Sequence, residues 1–382
     1  MRLISIIIFI HIINLTFAQN QREIELERQI NKVIQSYPIA GIAVSVLNAD
    51  SIFYMHGFGF SNLEAIKPYT TSTIQNIGSI SKTTIGISLM KAEELGLLNI
   101  ENPINKHLPF PIQNPNFKND EITILQLATH TSSIKDRGTV YDLKCYRDIS
   151  EPIINLKDFV IDYFNPKGKW YNKKNFSGVK PGTAYEYSNI GSALTAYIIE
   201  FKSGMSYSEF TKKYIFEPLK MKNTGWYLSG IDSAIHAKLY NSALKERKLY
   251  QLITYPDGGL RTNVEDLSIY FQIILNNGKY HDIQIIEKEL IEKMTKPRFD
   301  KNNLPKNFES INQGLFWEIE RSGFTNEMEG HRGGDPGVIT MMFYFQEFNK
   351  GIIYLANTSA DKKNIDGYNE IWRILVEYAK KL

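Results

Sequence analysis

The chain has 382 residues, a formal net charge of +3, and 43% hydrophobic against 22% charged residues. That profile fits a globular chain of one large domain or two smaller ones, and so small a charge argues against nucleic acid or a membrane surface as partner. The single cysteine, Cys145, excludes an intramolecular disulfide and a cysteine metal site, and the seven histidines contain no His-x-x-x-His pair.

Met1 to Ala18 reads as a signal peptide. Arg2 supplies the charged start, Ile4 to Leu15 form an apolar run too short for a comfortable membrane span, and Thr16-Phe17-Ala18 ends in a small residue. The expectation is a chain exported to the periplasm or exterior of a bacterium, beginning near Gln19, with no later membrane span. Residues 21–35 follow a helical spacing that Pro38 ends. Gly41–Leu47 and Ile52–Phe58 are β-rich runs around Asn48-Ala49-Asp50-Ser51 and predict a hairpin. A polar, β-branched approach (Thr71 to Ile77) then leads through Gly78 to an apolar helix ending near Gly96.

Helical patterns recur near Ile124–Thr129, Ile153–Phe164, Ile190–Phe201 and Tyr207–Ile215. Between Asp136 and Lys180 the chain is irregular and locally basic, and reads as a solvated surface loop. Asn263 to Leu275 forms a helix whose Asn263/Asp266 pair resembles a capping box. Leu315–Ile319, Val338–Phe345 and Ile352–Ala356 predict strands, and a helix over about residues 365–380 closes the chain. The fold expected is α/β (α+β): one antiparallel sheet built from both chain ends, flanked by helices. Its α/β part would cover about 21–80 and 255–382, with a mostly helical insertion over about 90–255.

The chemistry centres on Gly78-Ser79-Ile80-Ser81-Lys82. Ser79 and Lys82 lie three residues apart at a predicted helix start, so hydroxyl and amine share one face. The helix N-terminus favours an oxyanion at Ser79 and disfavours protonation of Lys82, which can then activate the serine. Ser-x-x-Lys occurs six times in the chain, so spacing alone selects nothing; only Ser79 has the glycine before it and the apolar helix after it. Tyr187-Ser188-Asn189 follows the turn Lys180-Pro181-Gly182, which puts Tyr187 at a loop mouth. In His331-Arg332-Gly333-Gly334 the two glycines let backbone N–H groups approach a ligand closely, and such an N–H can pair with that of Ser79 as an oxyanion hole. His130, in Thr129-His130-Thr131-Ser132, has no implied partner acid and reads as structural.

In this order, Ser79-x-x-Lys82, Tyr187-x-Asn189 and His331-x-Gly333 resemble the motifs of the serine β-lactamase and penicillin-binding superfamily. The resemblance is to the class C β-lactamase-related branch, which includes D-aminopeptidases, D-Ala-D-Ala carboxypeptidases and esterases. The phrases Ile122–Ser132, Glu217–Thr224 and Asp257-Gly258-Gly259-Leu260-Arg261-Thr262 extend the likeness over nearly the whole chain after residue 20. It implies Ser79 as the acylated nucleophile, Lys82 and Tyr187 as the proton-shuttling pair, and Asn189 as a holder of Lys82 and of substrate. Oxyanion donors would be the N–H groups of Ser79 and Gly334. His331 stands where many relatives have lysine. Arg332 stands where a small residue is usual, and it would either clamp a substrate carboxylate or tie down the hairpin from solvent.

The function expected is an exported serine hydrolase that cleaves an ester or amide, such as a D-residue peptide, through an acyl-enzyme on Ser79. The alternatives are a true β-lactamase and a non-catalytic penicillin-binding or sensor-like protein. The partner is a small-molecule or peptide substrate. No cofactor or metal is expected, and the oligomeric state is open.

Overall fold

The computed structural model describes residues 21–151, 153–308, 312–321 and 327–382. The segment read as a signal peptide, Met1 to Ala18, lies outside them. Among the described residues, no helix is long and apolar enough to cross a membrane.

Helix α1 covers residues 21–36. Strands β1 (Gly41–Leu47) and β2 (Ile52–Asn62) form the expected hairpin, and β3 (Lys67–Pro68) follows. The turn is made by Asn48, whose Oδ1 accepts from the N–H groups of Asp50 and Ser51, an Asx arrangement. Helix α2 (Ser81–Glu94), α3 (Asn189–Ser203) and α4 (Val264–Leu275) come next. The C-terminal part supplies β4 (Asn312–Gln313), β5 (Glu318–Glu320), β6 (Met328–Asp335), β7 (Val338–Phe345), β8 (Lys350–Ala356) and helix α5 (Ile365–Ala379).

The strands make one eight-stranded antiparallel sheet in the order β4-β5-β6-β7-β8-β1-β2-β3. Its centre joins the two ends of the chain, with Ile42 opposite Ala356 and Val46 opposite Ile352. Strands β1 and β8 are buried along their whole length, as strands covered on both faces must be. One face packs Ile42, Val44, Phe343 and Tyr354 against Leu26 and Ile30 of α1 and Ile371, Trp372 and Leu375 of α5. The other packs Ala43, Met342 and Leu355 against α2, α4 and the helical region. Helix α2, buried nearly all round, therefore runs through the larger core and fixes its first turn beside β6.

Four details differ from the sequence reading. The run Leu315–Ile319 is not one strand: β4 and β5 flank a tight turn in which Gly314 N–H donates to Trp317 O and Phe316 takes a left-handed φ of 50°. Burial of Leu315, Phe316 and Trp317 holds that turn and accounts for its apolar sequence. His331 lies within a strand, β6, that the sequence reading did not predict. At α4, Asn263 caps Asp266 N–H, but the Asp266 carboxylate accepts from Asn223 N–H and the Thr224 hydroxyl instead of closing a box. Finally, residues 136–180 are not simply a solvated loop. The helix expected near Ile153–Phe164 is present as Leu156–Phe164, and the unexpected element is the strand Tyr146–Asp148, which pairs with Tyr250–Leu252.

Candidate active site

Ser79 sits in a single 3-10 turn, Gly78–Ile80, that leads straight into α2. Gly78 makes the corner with φ +54°, and a Cβ there would lie 3.0 Å from Gly334 N. A Cβ on Gly333 would stand 2.3 Å from both Ile77 O and Thr340 Oγ1, and 3.1 Å from Ser79 N. No side chain fits that gap, so β6 can press its backbone against the serine turn only because residue 333 is glycine. The Thr340 hydroxyl donates to Ile77 O at 2.8 Å and ties β7 to the same turn. The N–H groups of Ser79 and Gly334 are thereby brought to one place.

Lys82 is fully buried. Its Nζ lies 3.0 Å from Ser79 Oγ, 2.6 Å from Asn189 Oδ1 and 2.7 Å from the Asp257 carbonyl. All three acceptors are neutral. Burial pushes the Lys82 pKa below the ordinary lysine value, while the carboxylates of Asp257 and Asp136 oppose the shift from a distance. Tyr187 is half-buried, with Lys82 Nζ 4.9 Å above the centroid of its ring. Burial holds its phenol protonated, and a hydrogen bond with Ser79 works against that shift. Ser79, Lys82, Tyr187 and Asn189 thus form one cluster, although they come from two helices and the loop before the second.

Asn189 begins α3 and is held by Asp136, a residue that no local pattern singles out. One Asp136 oxygen accepts from the Ser188 hydroxyl and Ile190 N–H, at 2.8 and 2.9 Å. The other accepts from Asn189 N–H and Nδ2, at 2.8 and 2.9 Å. A carboxylate at a helix N-terminus is stabilised by the unpaired N–H groups there, and here it also fixes which way the Asn189 amide points. With Nδ2 bound to Asp136, Oδ1 is turned to Lys82.

His130 has a supporting place. Its Nδ1 accepts from Ser188 N–H at 3.2 Å, and its ring lies 4.4 Å from that of Tyr187. Burial keeps it neutral. Another support was missed in the sequence: Tyr141 donates to Asp257 Oδ1 at 2.8 Å, while Tyr146 and Tyr250 donate to the two oxygens of Asp335 at 2.5 and 2.9 Å. Burial raises Asp257 to about 7 and Asp335 to about 6. Tyr146 thereby ties the 136–148 segment to the end of β6, and Tyr141 ties it to Asp257.

The strand side departs from the expectation for His331 and Arg332. His331 is 1% exposed; Nδ1 lies 2.6 Å from Arg332 O, and Nε2 is buried without a hydrogen bond, 3.6 Å from Glu318 Oε1. Neither nitrogen is open to the cleft, and burial lowers the pKa to about 3, so the ring is neutral. Arg332 does not enter the cleft as a carboxylate clamp. Its guanidinium is ion-paired to Glu320, lies 3.6 Å from Glu318 Oε2, and covers the Phe343 ring at 5.8 Å. Two glutamates of the neighbouring strand engage it instead. Among the described residues, no group of three or more His, Cys, Asp or Glu is placed to hold a metal ion.

Residues 25–373 match the sequence profile of the family described as Beta-lactamase. Penicillin-binding protein 4* of Bacillus subtilis (strain 168) is 27% identical over 365 residues, covering 90% of this chain and 73% of that protein. Protein flp of Staphylococcus aureus (strain MW2) is 25% identical over 351 residues, and the match spans 90% of this chain but only 64% of flp. Among solved structures, the D-amino acid amidase of Ochrobactrum anthropi SV3, complexed with L-phenylalanine, superposes with a TM-score of 0.75 at 19% identity, over 95% of this chain and 99% of that one. The superposition agrees with the antiparallel sheet and helices described above, and the profile match over 25–373 settles the lineage: the chain belongs to the β-lactamase family.

Proposed function

We propose that the protein is a serine hydrolase that cleaves an ester or amide through an acyl-enzyme on Ser79. The observation that carries this reading is the neutral cradle of Lys82: a buried amine 3.0 Å from Ser79 Oγ whose three acceptors are all uncharged. A lysine kept for stability would have a carboxylate against it, because an unpaired buried charge is costly. A lysine kept as a base needs its pKa lowered, which burial in this cradle does.

Ser79 Oγ attacks the substrate carbonyl as its proton passes to Lys82 Nζ, directly or through the Tyr187 hydroxyl. The carbonyl oxygen becomes an oxyanion facing the N–H groups of Ser79 and Gly334. Tyr187, a neutral phenol, then gives its proton to the leaving oxygen or nitrogen and recovers one from Lys82. Water attacks the acyl-enzyme by the same route in reverse. Asn189, fixed by Asp136, keeps Lys82 on line and offers the remaining Nδ2 hydrogen to a substrate carbonyl. Glycines 333 and 334 supply the close backbone approach, and His331 shapes the strand without presenting a nitrogen.

A fluorophosphonate probe tests the reading. It should label the peptide containing Ser79, and labelling should vanish in Ser79→Ala. An adduct on Ser132 or Ser188, or none at all, rejects it and leaves a non-catalytic protein of the same fold. A panel of p-nitrophenyl esters, D-amino-acid amides and nitrocefin separates esterase, amidase and β-lactamase activity. We further propose that the chain is exported. N-terminal sequencing of the protein recovered from the periplasm or medium should begin near Gln19, and recovery from the cytoplasm with Met1 intact rejects export.

A further inference from the structure

Lys82 Nζ has three acceptors around it, but an uncharged amine has only two N–H bonds and keeps one lone pair. With Asn189 Oδ1 at 2.6 Å and the Asp257 carbonyl at 2.7 Å taking the two N–H bonds, the lone pair is left facing Ser79 Oγ at 3.0 Å. Its direction therefore depends on how firmly those two outer acceptors are held. Both are held from one short stretch, residues 136–141. Asp136 fixes the Asn189 amide by accepting from its backbone N–H and its Nδ2. Farther along, the Tyr141 hydroxyl donates to Asp257 Oδ1 at 2.8 Å, where Tyr141 is 7% and Asp257 1% exposed.

The Asp257 carbonyl belongs to a single 3-10 turn, Tyr255–Asp257, and the side chain of the same residue is the handle that Tyr141 grips. A carboxyl offers an acceptor oxygen whether or not it carries a proton, so this bond does not depend on the charge of Asp257. Arg137 fastens the stretch from behind. Its N–H donates to Tyr163 Oη at 3.1 Å and its guanidinium to Trp170 O at 2.6 Å, while its carbonyl accepts from the N–H groups of Val140 and Tyr141 at 2.7 and 2.9 Å. We infer that Tyr141 is a positioning residue for the serine-activating lysine: through the Asp257 side chain it fixes the Asp257 carbonyl and so, with Asp136 and Asn189, points the Lys82 lone pair at Ser79. Residues 136–141 are then a brace for the base. The proposal rests on the serine-hydrolase reading and deepens it.

The test is a double-mutant cycle read by the rate of fluorophosphonate labelling. Tyr141→Phe keeps the buried ring and removes only the hydroxyl. It should slow labelling about tenfold, a part of the roughly 10²–10⁴ that a lost general base costs. In the Lys82→Ala background the same substitution should leave the residual rate unchanged within about twofold, because no lone pair remains to direct. A role confined to folding would slow both backgrounds by the same factor. The deficit of Tyr141→Phe should also persist near pH 10, about the ordinary lysine pKa, since orientation rather than protonation is lost. Asp257→Ala removes the same bond from the other side and should give the same deficit at that pH, which keeps the test decisive if Tyr141→Phe does not fold. Labelling of these variants at the wild-type rate, an equal fall with and without Lys82, or a deficit that vanishes at high pH overturns the proposal. Failure of the serine-hydrolase reading appears separately, as absence of an adduct on wild-type Ser79.

Discussion

The two walls of the cleft are built on different physics. The helical wall holds Ser79, Lys82, Tyr187 and Asn189, and its geometry is fixed by backbone and burial. A 3-10 turn feeds α2, a neutral cradle receives Lys82, and Asp136 closes the start of α3. The strand wall is β6 with its neighbour β5, near the edge of the sheet. There the glycine backbone is constrained by the serine turn, Arg332 is set by charge pairing with Glu318 and Glu320, and the neutral His331 is held by burial and its hydrogen bond to Arg332 O. The first wall matches the motif set of the family, and the second is where this chain departs from it.

The largest effects should come from the helical wall. Ser79→Ala should abolish probe labelling and lower turnover by several orders of magnitude; residual turnover within tenfold of wild type would mean another nucleophile operates. Lys82→Ala and Tyr187→Phe should each slow acylation by roughly 10²–10⁴. Their double mutant should lose less than the product of the two, because they share one proton path. Stopped-flow acylation rates check this, and full multiplicativity would separate the two roles.

Next in size is the pH profile. The Lys82 pKa is lowered from 10.5, so its uncharged fraction, and with it the acylation rate, should rise with pH and level off below the range of an ordinary lysine. Loss of protons from Asp257 and Glu318, both raised to about 7, adds negative charge that favours protonated Lys82 and should broaden the rise. His331, lowered to about 3, contributes no falling limb near neutrality. Probe inactivation measured from about pH 5 to about pH 10 checks the sign, since a rate falling through the ordinary histidine pKa of about 6.5 would require a cationic His331.

A smaller effect on rate but a clear one on stability is expected from Asp136→Ala. It strands the N–H groups of Asn189 and Ile190 and the Asn189 amide, a loss of about 1–3 kcal/mol, readable by urea unfolding. Acylation should slow with it, because Asn189 is no longer oriented toward Lys82; unchanged stability and rate would show that water replaces the carboxylate freely. The smallest change should follow Arg332→Ala. Its side chain is 53% exposed, and exposed ion pairs contribute about 0–1 kcal/mol, so a fall in urea stability much beyond that range would mean the Arg332–Glu320 pair holds β5 to β6.

Much of the fold was legible because its signals are local. The hairpin at residues 41–62 has two β-rich runs and an Asx turn, and helices 189–203 and 264–275 have apolar spacing and caps. The 136–180 stretch was misread for the converse reason. Its order comes from distant partners, Asp136 with the start of α3 and Tyr146 with Asp335, and a lone polar residue looks the same in sequence whether it meets water or a helix end. The strand β6 was not predicted because glycines lower β-propensity, although here they are what allows β6 to touch the serine turn.

For the nucleophile, sequence alone determined a great deal. Ser79 and Lys82 are three residues apart across the 3-10 turn and the first turn of α2, and that continuous helical path brings them together in any fold that keeps it. Tyr187 and Asn189 could be placed only by resemblance, since more than 100 residues of intervening chain carry no distance information. Tertiary structure alone decided the charge of the strand wall. The sequence His331-Arg332 offers two cations or one, and the choice depends on Glu318 and Glu320, which reach Arg332 only because β5 pairs with β6 in the register that sets Glu318 opposite Gly330. Burial then removes the charge from His331. Side-chain protonation and pairing depend on desolvation and on neighbours brought together by long-range strand pairing, neither of which a local pattern of residues records.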